Sequence, residues 1–143
     1  MLLGKVQLFH LKYFTNQFAE YFTVFLKGGQ MKVSDLVNKF DLKVFAGQAG
    51  LENEVSGGYV SDLLSDVMGF ARENQVWITL QTHQNVLAIA SLKDLSAVII
   101  VKDFQPDEDT VLHSNEEGIP LLGTSMETFE IAGKLYAVLK SGY

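Results

Sequence analysis

From Met31 onward, apolar residues follow two alternating patterns: short continuous runs, and runs in which apolar positions recur every three or four residues. The first pattern marks strands and the second marks helices. The stretch Val76 to Leu92, VWITLQTHQNVLAIASL, shows the switch most clearly. Strand-favouring residues run to Leu80, a polar loop holds Thr82, His83, Gln84 and Asn85, and an apolar helix occupies Asn85 to Leu92.

The flanking segments repeat this alternation. Ser34 is placed to cap a short helix, DLVNKF, that turns Leu36, Val37 and Phe40 inward. Leu42 to Phe45 reads as a first strand and Gly47 to Gly50 as a turn. Val55 to Val60 reads as a second strand, whose Gly57-Gly58 pair marks a bulge or a close backbone approach. Ser61 is placed to cap the helix SDLLSDVMGFAR, with Leu63, Leu64, Val67, Met68 and Ala71 on its buried stripe and Asp62 in its first turn. The run AVIIV at Ala97 to Val101 lacks alternation, as expected of a strand covered on both faces. Pro106-Asp107 opens a helix through Asn115 that Gly118 closes. Pro120 to Leu122 is a last short strand, and Thr124-Ser125-Met126-Glu127 has the form of a capping box opening a final helix to about Leu139. Strands separated by helices predict an α/β fold: a layered α/β sandwich with a mainly parallel or mixed sheet of about five strands and helices packed on it.

Composition sharpens this picture. A length of 143 residues suits one domain, and 48% hydrophobic against 20% charged residues is an ordinary globular balance. A formal charge of −6 argues against a nucleic-acid partner, which needs a basic face. The absence of cysteine excludes disulfides, thiolate metal sites and a cysteine nucleophile, and fits the cytoplasm.

Residues 1–30 differ from the remainder. They hold Lys5, Lys12 and Lys27 against Glu20 alone, and seven of the sixteen aromatics, including Phe9, Phe14, Phe18, Phe22 and Phe25 at a roughly helical period. The domain is therefore placed at residues 31–143, with a non-domain leader before it. One reading of the leader is an amphipathic helix for a membrane surface or partner. Another is translated upstream sequence, because Lys27-Gly28-Gly29-Gln30 before Met31 is encodable as a purine-rich ribosome-binding site. Lys12, Asn16, Gln17 and Glu20 interrupt any spanning run, so no membrane partner is expected unless the leader is native.

In a parallel sheet the loops after the strands share one edge, where ligands favour a topological switch point. Those loops bring Ser61, Asp62, Thr82, His83, Asn85, Lys102, Asp103, Thr124 and Ser125 to one rim. Helix N-termini there would hold an anion without a basic surface. Each residue also has a plainer role: Thr82, Asn85, Thr124 and Ser125 as caps, His83 and Lys102 as exposed side chains, Gly57-Gly58 as backbone geometry. Asp62 and Asp66 stand four apart on one helix face, and His113 has no second histidine at ligand spacing, so no metal site and no cofactor are assigned. No P-loop, G-x-S-x-G elbow or H-E-x-x-H is present.

Several short pieces in order resemble the DRTGG domain: VSGGYVSDLLSDVM at Val55 to Met68, Val76-Trp77-Ile78-Thr79, the strand to Val101, Gln105-Pro106-Asp107-Glu108, Gly118 to Leu122, and Thr128-Phe129-Glu130. That domain occurs alone, as the N-terminal domain of HPr kinase/phosphorylase, and within long phosphate acetyltransferases. The resemblance spans about Met31 to Leu139. Where the family often carries Thr-Pro-Gly-Asp-Arg this chain has Thr79-Leu80-Gln81-Thr82-His83, and where it often carries Thr-Gly-Gly it has Val101-Lys102-Asp103. The resemblance implies an α/β sandwich, self-association as a homodimer and a regulatory role, and does not imply kinase activity. The expected function is a non-catalytic sensing module that binds a small anionic ligand, such as a nucleotide or phosphometabolite, or a partner protein. The expected ligand-binding set is Gly57, Gly58, Ser61, Asp62, Thr82, His83, Asn85, Lys102, Thr124 and Ser125. A pure interaction subunit of a larger enzyme and a small hydrolase or phosphotransfer enzyme are the alternatives.

Overall fold

A computed structural model describes residues 30–141, and the leader readings lie outside the described residues. The elements in chain order are β1 (Met31–Lys32), α1 (Val33–Phe40), β2 (Lys43–Ala46), a 3-10 turn (Gln48–Gly50), β3 (Glu54–Val55), β4 (Gly57–Val60), α2 (Leu64–Phe70), β5 (Gln75–Thr79), α3 (Asn85–Leu92), β6 (Ala97–Ile100), α4 (Glu108–Glu117), β7 (Leu121–Gly123) and α5 (Thr128–Lys140). The main sheet has the order β2-β7-β6-β5-β4. Strands β4 to β7 are mutually parallel, and β2 returns antiparallel along β7 with a register shift between Val44 and Ala46. The fold is the expected α/β layering with a mixed, mostly parallel sheet.

The β-branched run at Ala97 to Val101 does what its lack of alternation implies, since every residue in it is fully buried. Its side chains divide between two cores. Ile99 joins Val76, Ile78 and Leu122 beneath α1 and α5, through Val33, Leu36, Ile131 and Leu135. Val98 and Ile100 join Trp77 and Leu121 beneath α2, α3 and α4, through Val67, Val86 and Leu87. Each large side chain so buried stabilises the fold by about 1.5–3 kcal/mol.

Four local expectations change. Val55 to Val60 is two strands rather than one: Val55 pairs with Met31 in a small antiparallel ribbon, and the chain crosses at Ser56 into β4. Helix α1 starts at Val33, where the Lys32 N–H donates to the Asp35 carboxylate at 2.8 Å, and Ser34 lies inside it. Helix α2 starts at Leu64 rather than after Ser61, which leaves Leu63 and Met68 64% and 40% exposed instead of buried. Helix α5 starts at Thr128, so Thr124 and Glu127 form no capping box.

The Gly57-Gly58 pair is partly accounted for by packing. A Cβ on Gly58 would lie 2.9 Å from Leu135 Cδ2, where α5 crosses the sheet. Gly47 is more tightly constrained. Its φ is +76°, a Cβ there would meet the Ile119 carbonyl oxygen at 2.2 Å, and its N–H donates to Asn115 Oδ1 at 2.8 Å.

Gly47→Ala is therefore expected to destabilise the protein by about 2–4 kcal/mol in urea unfolding, through a backbone clash that no rotamer relieves. Gly133→Ala in α5 is expected to stabilise it by about 0.5–1 kcal/mol, because a Cβ there meets nothing within 4 Å and helical glycine is entropically costly.

Candidate functional site

The carboxyl ends of β4, β5, β6 and β7 share one edge, as parallel pairing requires. The connections from β4, β5 and β6 lead to α2, α3 and α4 over one core, whereas the connection from β7 leads to α5 over the other. The chain thus diverges to opposite faces between β6 and β7, which is where an open α/β sheet forms its crevice. A cleft of about 220 Å³ lies beside this point, at the end of β7 on the side of β2. It is lined by Asp103 and Gln105 after β6, by Gly123, Thr124 and Ser125 at the end of β7, by Asp41 at the end of α1, and by Lys43 and Phe45 from β2. Phe45 lies against Gly123, where an added Cβ would fall 2.5 Å from the ring, and Lys43 Nζ stands 4.8 Å from the ring centre.

The backbone at this edge is unusual. Lys102 and Asp103 adopt φ values of 58° and 57°, the left-handed region that costs a non-glycine residue on the order of 1–2 kcal/mol. Three hydrogen bonds hold the pair in place: Lys102 N–H to Met126 O at 3.0 Å, Asp103 N–H to Thr124 O at 2.9 Å, and Phe104 N–H to Val101 O at 3.2 Å. These two residues stand where the resembling family often has Gly-Gly, and the conformation that glycine favours is present here without glycine.

Of the expected site residues, Thr124 and Ser125 line the cleft, and Lys102 immediately precedes its Asp103. Ser61 and Asp62 lie at the end of β4, three strand spacings or about 14 Å from β7. One small ligand does not bridge that separation. Gly57 and Gly58 begin β4 and therefore sit toward the opposite edge of the sheet.

Several polar groups at the β4 and β5 exits are bonded within the fold. Asp62 Oδ1 accepts from the Thr79 hydroxyl at 2.9 Å and from Leu80 N–H at 2.7 Å. The Asp62 carbonyl accepts from Gln81 Nε2 at 2.9 Å, and the Ser61 carbonyl from the Trp77 indole at 2.8 Å. The Thr82 carbonyl accepts from Asp107 N–H at 3.1 Å and from the Thr110 hydroxyl at 2.7 Å, which fixes the start of α4.

A shared device turns the chain at these exits: a side chain accepts the N–H two residues ahead. Ser61 does so with Leu63 at 3.1 Å, Thr79 with Gln81 at 3.1 Å, His83 with Asn85 at 3.3 Å and Thr124 with Met126 at 3.2 Å. His83 Nδ1 is thus an acceptor, which puts any proton of the neutral ring on Nε2. With Val86 and Leu87 donating to the His83 and Gln84 carbonyls, the first three N–H groups of α3 are occupied. That helix start does not offer the anion cradle expected of it.

Asp66 is engaged apart from Asp62, accepting from the Tyr59 hydroxyl at 2.9 Å. Partial removal from water, then the hydrogen bond to Asp66 and that carboxylate's charge, push the Tyr59 phenol above its ordinary value. Among the described residues no three His, Asp or Glu side chains gather as a metal site, and no helix is long and apolar enough to cross a membrane. Asp41, Lys43 and Phe45 were absent from the expected set because β2 and the turn before it reach the rim only through antiparallel pairing with β7.

No family model and no curated protein matches the chain. Among solved structures, the CBS and DRTGG domains of the regulatory region of Clostridium perfringens pyrophosphatase, complexed with the activator diadenosine tetraphosphate, are similar. The TM-score is 0.58 at 12% identity, over 77% of this chain and 46% of that one. The likeness is one of fold, and the fold is DRTGG-like. The chain spans less than half the length of that neighbour.

Asp62→Ala is expected to destabilise the protein by about 1–3 kcal/mol in urea unfolding, by leaving the buried Thr79 hydroxyl and Leu80 N–H without their acceptor. Because the Tyr59 phenol is raised, the folded state keeps a proton that the unfolded chain releases first. Its contribution is present below about pH 10 and is lost as pH rises through the higher folded value. Alkaline thermal scans of Tyr59→Phe should show a shallower fall in Tm above that pH than the wild type.

Proposed function

We propose that this chain is a non-catalytic regulatory module that binds a nucleotide in the crevice between the carboxyl ends of β6 and β7. The observation that carries the reading is the composition of the cleft at the point where the connections diverge. Phe45 offers an aromatic surface beside which a base can stack, and Asp41 and Asp103 are acceptors suited to ribose hydroxyls. Lys43 in the cleft and Lys102 beside it supply the cations for a phosphate. A volume of about 220 Å³ is below the roughly 300–1,000 Å³ of complete ligand pockets, so the cleft would enclose the nucleoside half and leave the phosphates along the rim. The similar pyrophosphatase region, complexed with a nucleotide activator, supports a regulatory reading of this fold.

This reading revises the expected site toward Asp41, Lys43, Phe45, Asp103, Gln105, Thr124 and Ser125, with Lys102 beside them. His83 uses its Nδ1 on the chain turn before α3, so that nitrogen is not free to act as a base. A pure interaction subunit is the second reading. The outward side of α5 favours it, since Phe129 and Tyr136 are 92% and 65% exposed. A homodimer or a larger enzyme partner would cover that side.

A thermal-shift panel of AMP, ADP, ATP and diadenosine tetraphosphate tests the proposal. At least one is expected to raise Tm, by an amount equivalent to about 2.7 kcal/mol when present at a hundredfold excess over its Kd. Lys43→Ala and Asp103→Ala should each abolish the rise, while Gly133→Ala should leave it intact. No shift with any of the four nucleotides would leave the interaction-subunit reading in its place.

A further inference from the structure

The amino-terminal edge of the sheet, opposite the crevice, carries a second and larger recess of about 790 Å³ near the ends of α2 and α3. Ala71, Arg72 and Asn74 line one side and Leu92 and Lys93 the other. Arg72 is the only arginine of the chain, and in a protein of net charge −6 two cations face one recess. Among the described residues, neither the Arg72 guanidinium nor the Lys93 ammonium forms an ion pair, although Glu73 also lines the recess. Cations just past helix ends favour the helix dipoles. That role leaves the hydrophobic flank unexplained: Leu92 is 66% exposed, Phe70 beside Ala71 is 70% exposed, and Met68 is 40% exposed.

We infer that this recess docks a segment of a partner protein in which an acidic residue stands next to a large apolar one. The carboxylate would take a fork of hydrogen bonds from Arg72 with Lys93 adding charge, and the apolar side chain would pack on Leu92 and Phe70. Exposed arginine and aromatic residues at the edge of a recess have the composition of an interface anchor. A small anion confined to the recess would leave Phe70 in water, whereas a peptide continuing past Ala71 covers it. The adjoining recess, which shares Asn74, carries Asp94 and Glu117. Like-charge repulsion there would direct the acidic end of the segment toward Arg72 and so set its orientation. The site lies at the edge opposite the nucleotide crevice and does not rest on that assignment.

The test is selection of a random peptide display library on the full chain, with the Arg72→Glu/Lys93→Glu double variant as counter-target. Enriched peptides are expected to pair Asp or Glu with Leu, Ile or Phe. Fluorescence anisotropy of the synthesised peptides should show binding weakened by about tenfold or more in Arg72→Glu and, separately, in Leu92→Ser, with each variant unfolding at the wild-type temperature. Lys43→Ala should bind them unchanged, which separates failure here from failure of the nucleotide reading. Peptides that bind the double variant as tightly, or a selection that enriches nothing over the counter-target, would overturn the inference. So would sedimentation showing that the wild type dimerises and the double variant does not, because the occupant would then be a second copy.

Discussion

Burying β6 on both faces is the constraint from which the architecture follows. A strand with no solvent-facing side needs a helical layer above and below, and the chain supplies α1 and α5 for one face and α2, α3 and α4 for the other. It also needs a strand on each flank to pair its backbone, which β5 and β7 provide. The layers are unequal because three successive connections return over the same face before the fourth changes side. That change of side, forced by covering both faces, falls between β6 and β7, beside the cleft at the end of β7.

Much of this was legible from side-chain pattern. The helix at Asn85 to Leu92 has the bounds its apolar run indicates, and Ala97 to Val101 is buried as its β-branched composition requires. The helix starts after β4 and β7 were not, for one common reason. Ser61 and Thr124 accept an N–H two residues ahead and form turns, although the same hydroxyls would serve as helix caps. Both uses satisfy one backbone donor with one side-chain oxygen, so residue type does not separate them. The split of Val55 to Val60 was hidden for a different reason: pairing with Met31 and Lys32 depends on partners more than twenty residues away.

The proposed site divides along the same line. Thr124 and Ser125 were reachable because they follow a recognisable strand. Asp41, Lys43 and Phe45 were not, because their place beside β7 depends on antiparallel closure of the sheet, and no local spacing encodes strand order. Of the polar residues at the β4 and β5 exits that looked like ligand groups, Ser61, Asp62 and His83 each use a side-chain oxygen or Nδ1 to turn the chain or fix it. A rim crowded with hydroxyls, amides and a histidine is thus accounted for in part, at one end, by the geometry of exits. At the other end, beyond β6 and β7, Asp41 and Asp103 line an open cleft, beside Gln105, whose amide donates to the Asp103 carbonyl at 3.0 Å.

Trp77 gives this arrangement an optical counterpart. It is the chain's single tryptophan, fully buried, and its indole N–H is bonded to the Ser61 carbonyl where β4 leaves the sheet. Indole emission responds to the polarity around the ring and to its hydrogen bond. The protein therefore carries an intrinsic fluorophore hydrogen-bonded to the exit of β4. Its spectrum would report unfolding of the sheet, and it would stay nearly silent to occupancy of a crevice two strands away.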